Sequence, residues 1–373
     1  MHLALTVKAT RLCNLRCSYC TDWRAGPGNT MGFEVLANLT HRALSDPAHD
    51  LVSFGWHGGD PLVLPVEFFE RALDLQARFA RTDQRIQNTV QTNATLITPE
   101  WIDFLARNGM GVGVSIDGPP EIHDRQRVDR HGHGTFDRVR RGIDALRAAG
   151  LPFGTLMTID RETIELGPER VFEFFLDLGI TAYGFNAARP ANDHPPSADG
   201  PPPHYVDRRT MGRFLIGLHR CWLEHGDPNI HIRELEMIGN RLEGQGMISC
   251  RIEGDCVGRY FMVEPDGTVA HCARFQGDER YVFGNVLEHD FATLRRSLRL
   301  LERRQEDRRR AEARASCTEY DVCHGGCPHD DLIGRRHDPR HEDGCCGMAE
   351  LIRHVRGQGA RVRIGSAAGD QRG

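Results

Sequence analysis

The chain has 373 residues, of which 39% are hydrophobic and 27% charged, and a net charge of −5. That length supports one large domain and a smaller one. The charge excludes the basic face that a general nucleic-acid grip needs, so no nucleic-acid partner is expected. Arginines abound while lysine occurs once, at Lys8, a compositional bias assigned no function by itself. "MHLALTVKAT" lacks the basic start and apolar stretch of a signal peptide, and no apolar run approaches the ~20 residues of a membrane helix. The expected location is the cytoplasm, with no membrane partner. In that reducing compartment twelve cysteines are expected to bind metal or iron–sulfur rather than pair as disulfides.

From residue 2 to about 186, strand-like segments ("LALTV", "LVSFGW", "IQNTVQT", "GVGVSI", "FGTLMTI", "ITAYGFN") alternate with helix-period stretches such as "PVEFFERALDLQARFAR" and "TFDRVRRGIDALRAAG". Six strand–helix repeats predict an α/β fold, a parallel sheet with helices outside. Six are too few to close an eight-fold barrel. A partial barrel or a doubly wound sheet remains, and either places chemistry at the C-terminal ends of the strands. "RPANDHPPSADGPPPHYVD" (189–207) predicts an exposed loop, followed by helices near 208–225 and 230–243. From Cys250 eight cysteines fall in under a hundred residues. "VEPDGTVAHC" predicts a hairpin that delivers Cys272. "LRRSLRLLERRQEDRRRAEARAS" reads as one solvated, ion-paired helix, "HDDLIGRRHDPRHEDG" as a polar loop, and the Gly- and Arg-rich end as disordered. Cys221 lies outside every cysteine pattern and reads as core.

Residues 13–20, "CNLRCSYC", place Cys13, Cys17 and Cys20 at C-x3-C-x2-C spacing just after the first strand. Three readings compete. The thiols could share one helix face, but the segment makes a poor helix core. Zinc would need a fourth ligand, and none lies within sequence reach. A [4Fe–4S] cluster held by three thiolates would leave one iron open.

The motif resembles that of the radical S-adenosylmethionine (radical SAM) enzymes, with Tyr19 at the aromatic position before the last cysteine. The resemblance implies that the open iron chelates S-adenosylmethionine. An electron from the cluster then cleaves it to a 5′-deoxyadenosyl radical, which abstracts a substrate hydrogen. It further implies that "GGDP" (Gly58, Gly59, Asp60, Pro61) is the loop meeting the methionyl amine, with Asp60 where Glu is usual. By the same resemblance Asn93, Ser115, Asp117 and Arg127 help hold the cofactor, Ser115 and Arg127 through its carboxylate. The implied fold is a partial (β/α)6 TIM-like barrel followed by a small Cys-rich auxiliary-cluster domain. The expected boundaries are 1–205 for the barrel, 206–247 for a helical bridge, 248–350 for the auxiliary-cluster domain and 351–373 for a disordered tail.

The later cysteines resemble the SPASM extension, which houses auxiliary [4Fe–4S] clusters. By that pattern Cys250, Cys256, Cys272 and Cys327 hold one cluster. Cys317, Cys323 and Cys345 or Cys346, or both, hold a second. One family cysteine is absent, its place taken by Arg314. A structural zinc site is the alternative, although zinc fingers lack this long interleaved order. The resemblance implies a peptide or protein substrate, with or without a leader peptide, and a flavodoxin- or ferredoxin-type electron donor. Of its branches, the anaerobic sulfatase-maturating enzymes carry an Asp after the cysteine aligned with Cys272, where this chain has Ala273. The expected activity is therefore that of a ribosomal-peptide maturase making a crosslink or related oxidation. Formylglycine formation and oxidation or epimerisation of a small metabolite are the alternatives.

Overall fold

The structure is a computed structural model that describes residues 1–20, 29–192, 194–195, 201–245 and 250–358. The six predicted strands all form, in the predicted order: β1 (His2–Thr10), β2 (Leu51–Gly58), β3 (Arg85–Thr92), β4 (Gly111–Ser115), β5 (Phe153–Ile159) and β6 (Ala182–Ala187). Helices α1 (Phe33–Ser45), α2 (Val66–Phe79), α3 (Pro99–Arg107), α4 (Pro120–Gln126), α5 (Phe136–Ala148), α6 (Arg161–Leu166) and α7 (Pro168–Asp177) connect them. Neighbouring strands run parallel throughout. Alternation explains the layers. Leu3, Leu5, Val7 and Ala9 of β1 and Val52, Phe54 and Trp56 of β2 are buried. An edge-to-face chain of Trp56, Phe69 and Trp101 joins β2 to α2 and α3, with centroids 5.5 and 5.3 Å apart. The intervening residues of β1, Thr6, Lys8 and Thr10, lie on the opposite, inward face, which is polar.

After the barrel come α8 (Arg208–His225), the two-residue strand β7 (His231–Ile232) paired with β6, and α9 (Arg233–Leu242), close to the two predicted helices. Of the loop expected at 189–207, residues 193 and 196–200 lie outside the described residues. The loop is not exposed throughout, since Tyr205 and Val206 are buried.

The Cys-rich region does not stand apart from the barrel sheet. Strand β8 (Tyr260–Val263) pairs parallel to β1, and β9 (Thr268–Ala270) and β10 (Val282–Asn285) continue antiparallel, giving one ten-stranded sheet. The predicted hairpin is β8–β9, and Gly267 at φ 85° makes its turn. The charged stretch is two helices, α10 (Phe291–Arg296) and α11 (Leu298–Arg314), broken at Ser297, whose hydroxyl caps α11. It is not wholly solvated: Asp307, Arg310 and Arg314 are buried. The short α12 (Tyr320–Cys323) precedes α13 (Pro328–His337), so the segment expected as a polar loop is largely helix, with His329 and Asp330 buried. Residues 351–357, expected in a disordered tail, belong to α14 (Ala349–Gly357), whose Leu351, Ile352 and Val355 join the core. Residues 359–373 lie outside the described residues. Among those described, no helix is long and apolar enough to cross a membrane.

Candidate active site

The three-cysteine loop leaves the C-terminal end of β1, where it is clasped from both sides. On one side the Gly59 amide donates to the Thr10 carbonyl at 2.8 Å and the Asp60 amide to the Leu12 carbonyl at 2.9 Å. A Cβ on Gly58 would lie 2.0 Å from the Thr10 oxygen, and one on Gly59 2.0 Å from the Leu12 oxygen. Glycine is required there because the β2 loop is zipped onto the cysteine loop. On the other side Arg16 and Ser18 amides donate to the Val128 and Gln126 carbonyls at 2.7 and 2.9 Å.

Asp60 is 2% exposed and turned into the protein. Its carboxylate accepts from the Leu62 amide (3.0 Å), the Thr92 hydroxyl (3.0 Å) and the Asn93 amide (2.7 Å). It thus starts the 3-10 turn Pro61–Val63 and ties β2 to the end of β3. Burial raises it to about 6, against the pull of those hydrogen bonds. Asn93 donates to Asn14 at 2.9 Å, and its Nδ2 stands 3.9 Å from the Cys13 sulfur. Burial pushes the Cys13 thiol up to about 12, with Asp60 adding to it, and Cys17 up to about 11. Thiolates so buried call for a cationic partner, which iron supplies.

Half-buried Tyr19 and the buried Asp117 and Arg127 form one unit. Arg127 donates to both Asp117 oxygens, from Nε at 2.8 Å and Nη2 at 3.2 Å. Tyr19 donates its hydroxyl to the same carboxylate, and the guanidinium carbon lies 5.7 Å from the Tyr19 ring centroid. The Thr158 amide on β5 adds a fourth donor at 2.8 Å. These three predicted residues therefore brace the cysteine loop against β4 and β5. Ser115, at the end of β4, accepts from Gln91 at 3.0 Å.

The later cysteines separate into two groups. Burial, then the charge of Cys327, raises Cys250, Cys256 and Cys272, the last to about 12. Cys327 is pushed up by burial, but Arg274, Arg189 and Arg208 outweigh it and hold it low. The same three arginines converge on the Asp330 carboxylate. In the second group the Cys346 thiol is within hydrogen-bonding reach of Cys323 and Cys345, and the charge of Cys317 acts on Cys323. Among the described residues no three His, Cys, Asp or Glu side chains converge on one metal ion. A four-iron cube instead takes each thiolate on a separate iron.

Two features were missed in the sequence. Lys8 is 1% exposed and bonds the Gln276 side chain, linking the inward face of β1 to the segment after Cys272. Its place in the alternation of "LTVKAT" could have shown it. The Asp330 hub gathers residues 56 to 141 positions apart and leaves no local signal.

Comparison with known proteins agrees with this geometry. Residues 7–169 match the radical SAM superfamily, and residues 250–328 match SPASM, an iron–sulfur cluster-binding domain. The chain is 29% identical over 336 residues to the cysteine-type anaerobic sulfatase-maturating enzyme of Clostridium perfringens, covering 87% of this chain and 88% of that protein. It is 27% identical over 337 residues to the serine-type enzyme of Bacteroides thetaiotaomicron, covering 85% and 80%. The solved structure "Native anSMEcpe with bound AdoMet and Kp18Cys peptide" superimposes with a TM-score of 0.82 at 26% identity, over 95% of this chain and 97% of that one. The chain is thus an enzyme of the radical SAM superfamily with a SPASM iron–sulfur cluster-binding domain.

Proposed function

We propose that this enzyme abstracts a hydrogen atom from a side chain of a peptide or protein, using S-adenosylmethionine bound beside a cluster on Cys13, Cys17 and Cys20. When bound, the cluster and S-adenosylmethionine supply a 5′-deoxyadenosyl radical. The chain's own residues position and shield that chemistry. The Gly58–Gly59 backbone and the Tyr19–Asp117–Arg127 unit fix the cysteine loop. Asn93 and Ser115 lie at strand ends facing the same mouth, and the buried barrel wall excludes water. The observation that carries the reading is the clasp between the glycine loop and the cysteine loop, in a chain that also gathers a second set of buried and half-buried cysteines. A flavodoxin- or ferredoxin-type protein is the proposed electron donor, and the auxiliary-cluster unit is assigned to residues 248–350.

For the bond made, Ala273 points to a crosslink or related oxidation. Formylglycine formation needs a base, and the carboxylate that the sulfatase-maturating branch carries next to its cysteine is missing here. The identity to both cysteine- and serine-type anaerobic sulfatase-maturating enzymes favours that second reading. Anaerobic incubation with a sulfatase-derived peptide carrying Cys or Ser, and with short Cys- or aromatic-rich peptides encoded beside the gene, separates the two. Mass spectrometry should show a two-hydrogen loss in the latter. Conversion of the sulfatase peptide to the aldehyde, with the others unchanged, would establish formylglycine formation instead.

A further inference from the structure

The residue that replaces the missing family cysteine is not idle. Arg314 closes α11 and is 2% exposed. Its Nη1 donates to the Gly325 carbonyl at 2.7 Å, its Nε to the Asp343 carbonyl at 2.9 Å, and its Nη2 to the Asp331 carboxylate. Arg310, one turn earlier, donates to the Gly326 carbonyl at 2.7 Å. A guanidinium has no lone pair to offer iron. Arg314 instead binds two loops together, the one between Cys323 and Cys327 and the one that ends in Cys345 and Cys346.

We propose that the second auxiliary site is a four-thiolate cluster site made by Cys317, Cys323, Cys345 and Cys346, with both adjacent cysteines as ligands and Arg314 as the clamp that brings them in. The proposal rests on the iron–sulfur reading above, and two of its four ligands, Cys345 and Cys346, lie beyond the matched SPASM region, which ends at residue 328. Three observations carry it. Asp343, held by Arg314, lies two residues before the pair. Cys346 is wedged against the other loop, its Cβ 2.9 Å from where a Cβ on Gly326 would stand. The Cys346 thiol also reaches both Cys323 and Cys345. The pair is followed by Gly347 at φ 78°, which turns the chain so that its amide donates to the Cys345 sulfur at 3.3 Å. Arg208 packs against that turn and the Gly326 backbone, placing a positive charge beside the thiolates. Adjacent Cα atoms only about 3.8 Å apart can serve one cube because its irons accept side chains that diverge from the backbone.

The test uses the full chain with Cys13, Cys17 and Cys20 changed to Ala, so that only auxiliary clusters remain. Reconstituted anaerobically, it should hold about eight irons per chain. Mild oxidation strips the open iron from a three-thiolate cube and leaves a three-iron cluster with its own electron paramagnetic resonance (EPR) signal. The background chain should give no such signal. Adding Cys345→Ser or Cys346→Ser should each produce it, with about one iron lost per chain. A three-iron signal in the background chain, only about four irons in it, or a spectrum unmoved by either substitution would overturn the proposal. The background measurement needs no change at the pair, so it decides even if the substituted chains do not fold. The unaltered protein's release of 5′-deoxyadenosine is a separate readout. Its failure would sink the proposed function and leave the ligand count standing.

Discussion

Gly59→Ala probes the clasp directly. The new methyl carbon would lie 2.0 Å from the Leu12 carbonyl oxygen, 2.4 Å from its carbon and 2.7 Å from the Arg11 oxygen. All three are main-chain atoms, so no side chain can swing aside. Relief requires the two loops to part by about 1 Å, which takes the contacts to the shortest that Cβ atoms tolerate. That opening breaks the Gly59–Thr10 and Asp60–Leu12 hydrogen bonds. At about 1 kcal/mol each, the closed arrangement loses roughly 2 kcal/mol, or about 30-fold in population. The assay is the rate of 5′-deoxyadenosine release from S-adenosylmethionine with dithionite, normalised to iron content. Gly32→Ala is the control, because nothing lies within 4 Å of its added carbon. The expected result is a rate about 30-fold lower for Gly59→Ala, with the control unchanged. A Gly59→Ala enzyme within twofold of the original would refute the clasp as the element that sets the cysteine loop.

Arg127→Met should cost about 3–5 kcal/mol in urea unfolding, because it strands Asp117, which is 0% exposed. Adding Asp117→Asn should recover part of that loss, and strictly additive losses would show that the two do not act as a pair. His219 on α8 is fully buried, and neither ring nitrogen has a hydrogen-bond partner. Burial, then His354, lowers it to about 4. Its folded value thus lies below its unfolded value near 6.5, and the unfolded chain binds the extra proton as pH falls from about 6.5 toward 4. Stability should therefore drop across that window. His219→Phe should raise the unfolding midpoint at pH 7.5 and raise it further at pH 5, whereas an equal gain at both would contradict the linkage.

The barrel was legible because its strands are short apolar runs separated by helix-period segments, a local pattern. The first cysteine motif was equally local. What was not legible depended on distance. Nothing near Tyr260 announces that its strand pairs with β1, and that pairing merges the two expected domains into one sheet. The charged run 298–314 is polar at every position from 302 to 310, and arginine is not an apolar residue, so its buried Arg310 and Arg314 carry no hydrophobic signature. Their burial is sustained by carbonyls of Gly325 and Gly326 that only the folded chain supplies. Asp60 and Arg127 were expected to face a cofactor. The structure commits their charged groups to Thr92 and Asn93, and to Asp117, which only the packing of strand ends reveals.

The most direct measurement is the EPR spectrum of the reduced, anaerobically reconstituted protein before and after adding S-adenosylmethionine. A cluster on Cys13, Cys17 and Cys20 with one open iron predicts a clear change in its signal, absent when these three residues are alanine. An unchanged spectrum in the unaltered protein, or the same change in the alanine variant, would contradict it.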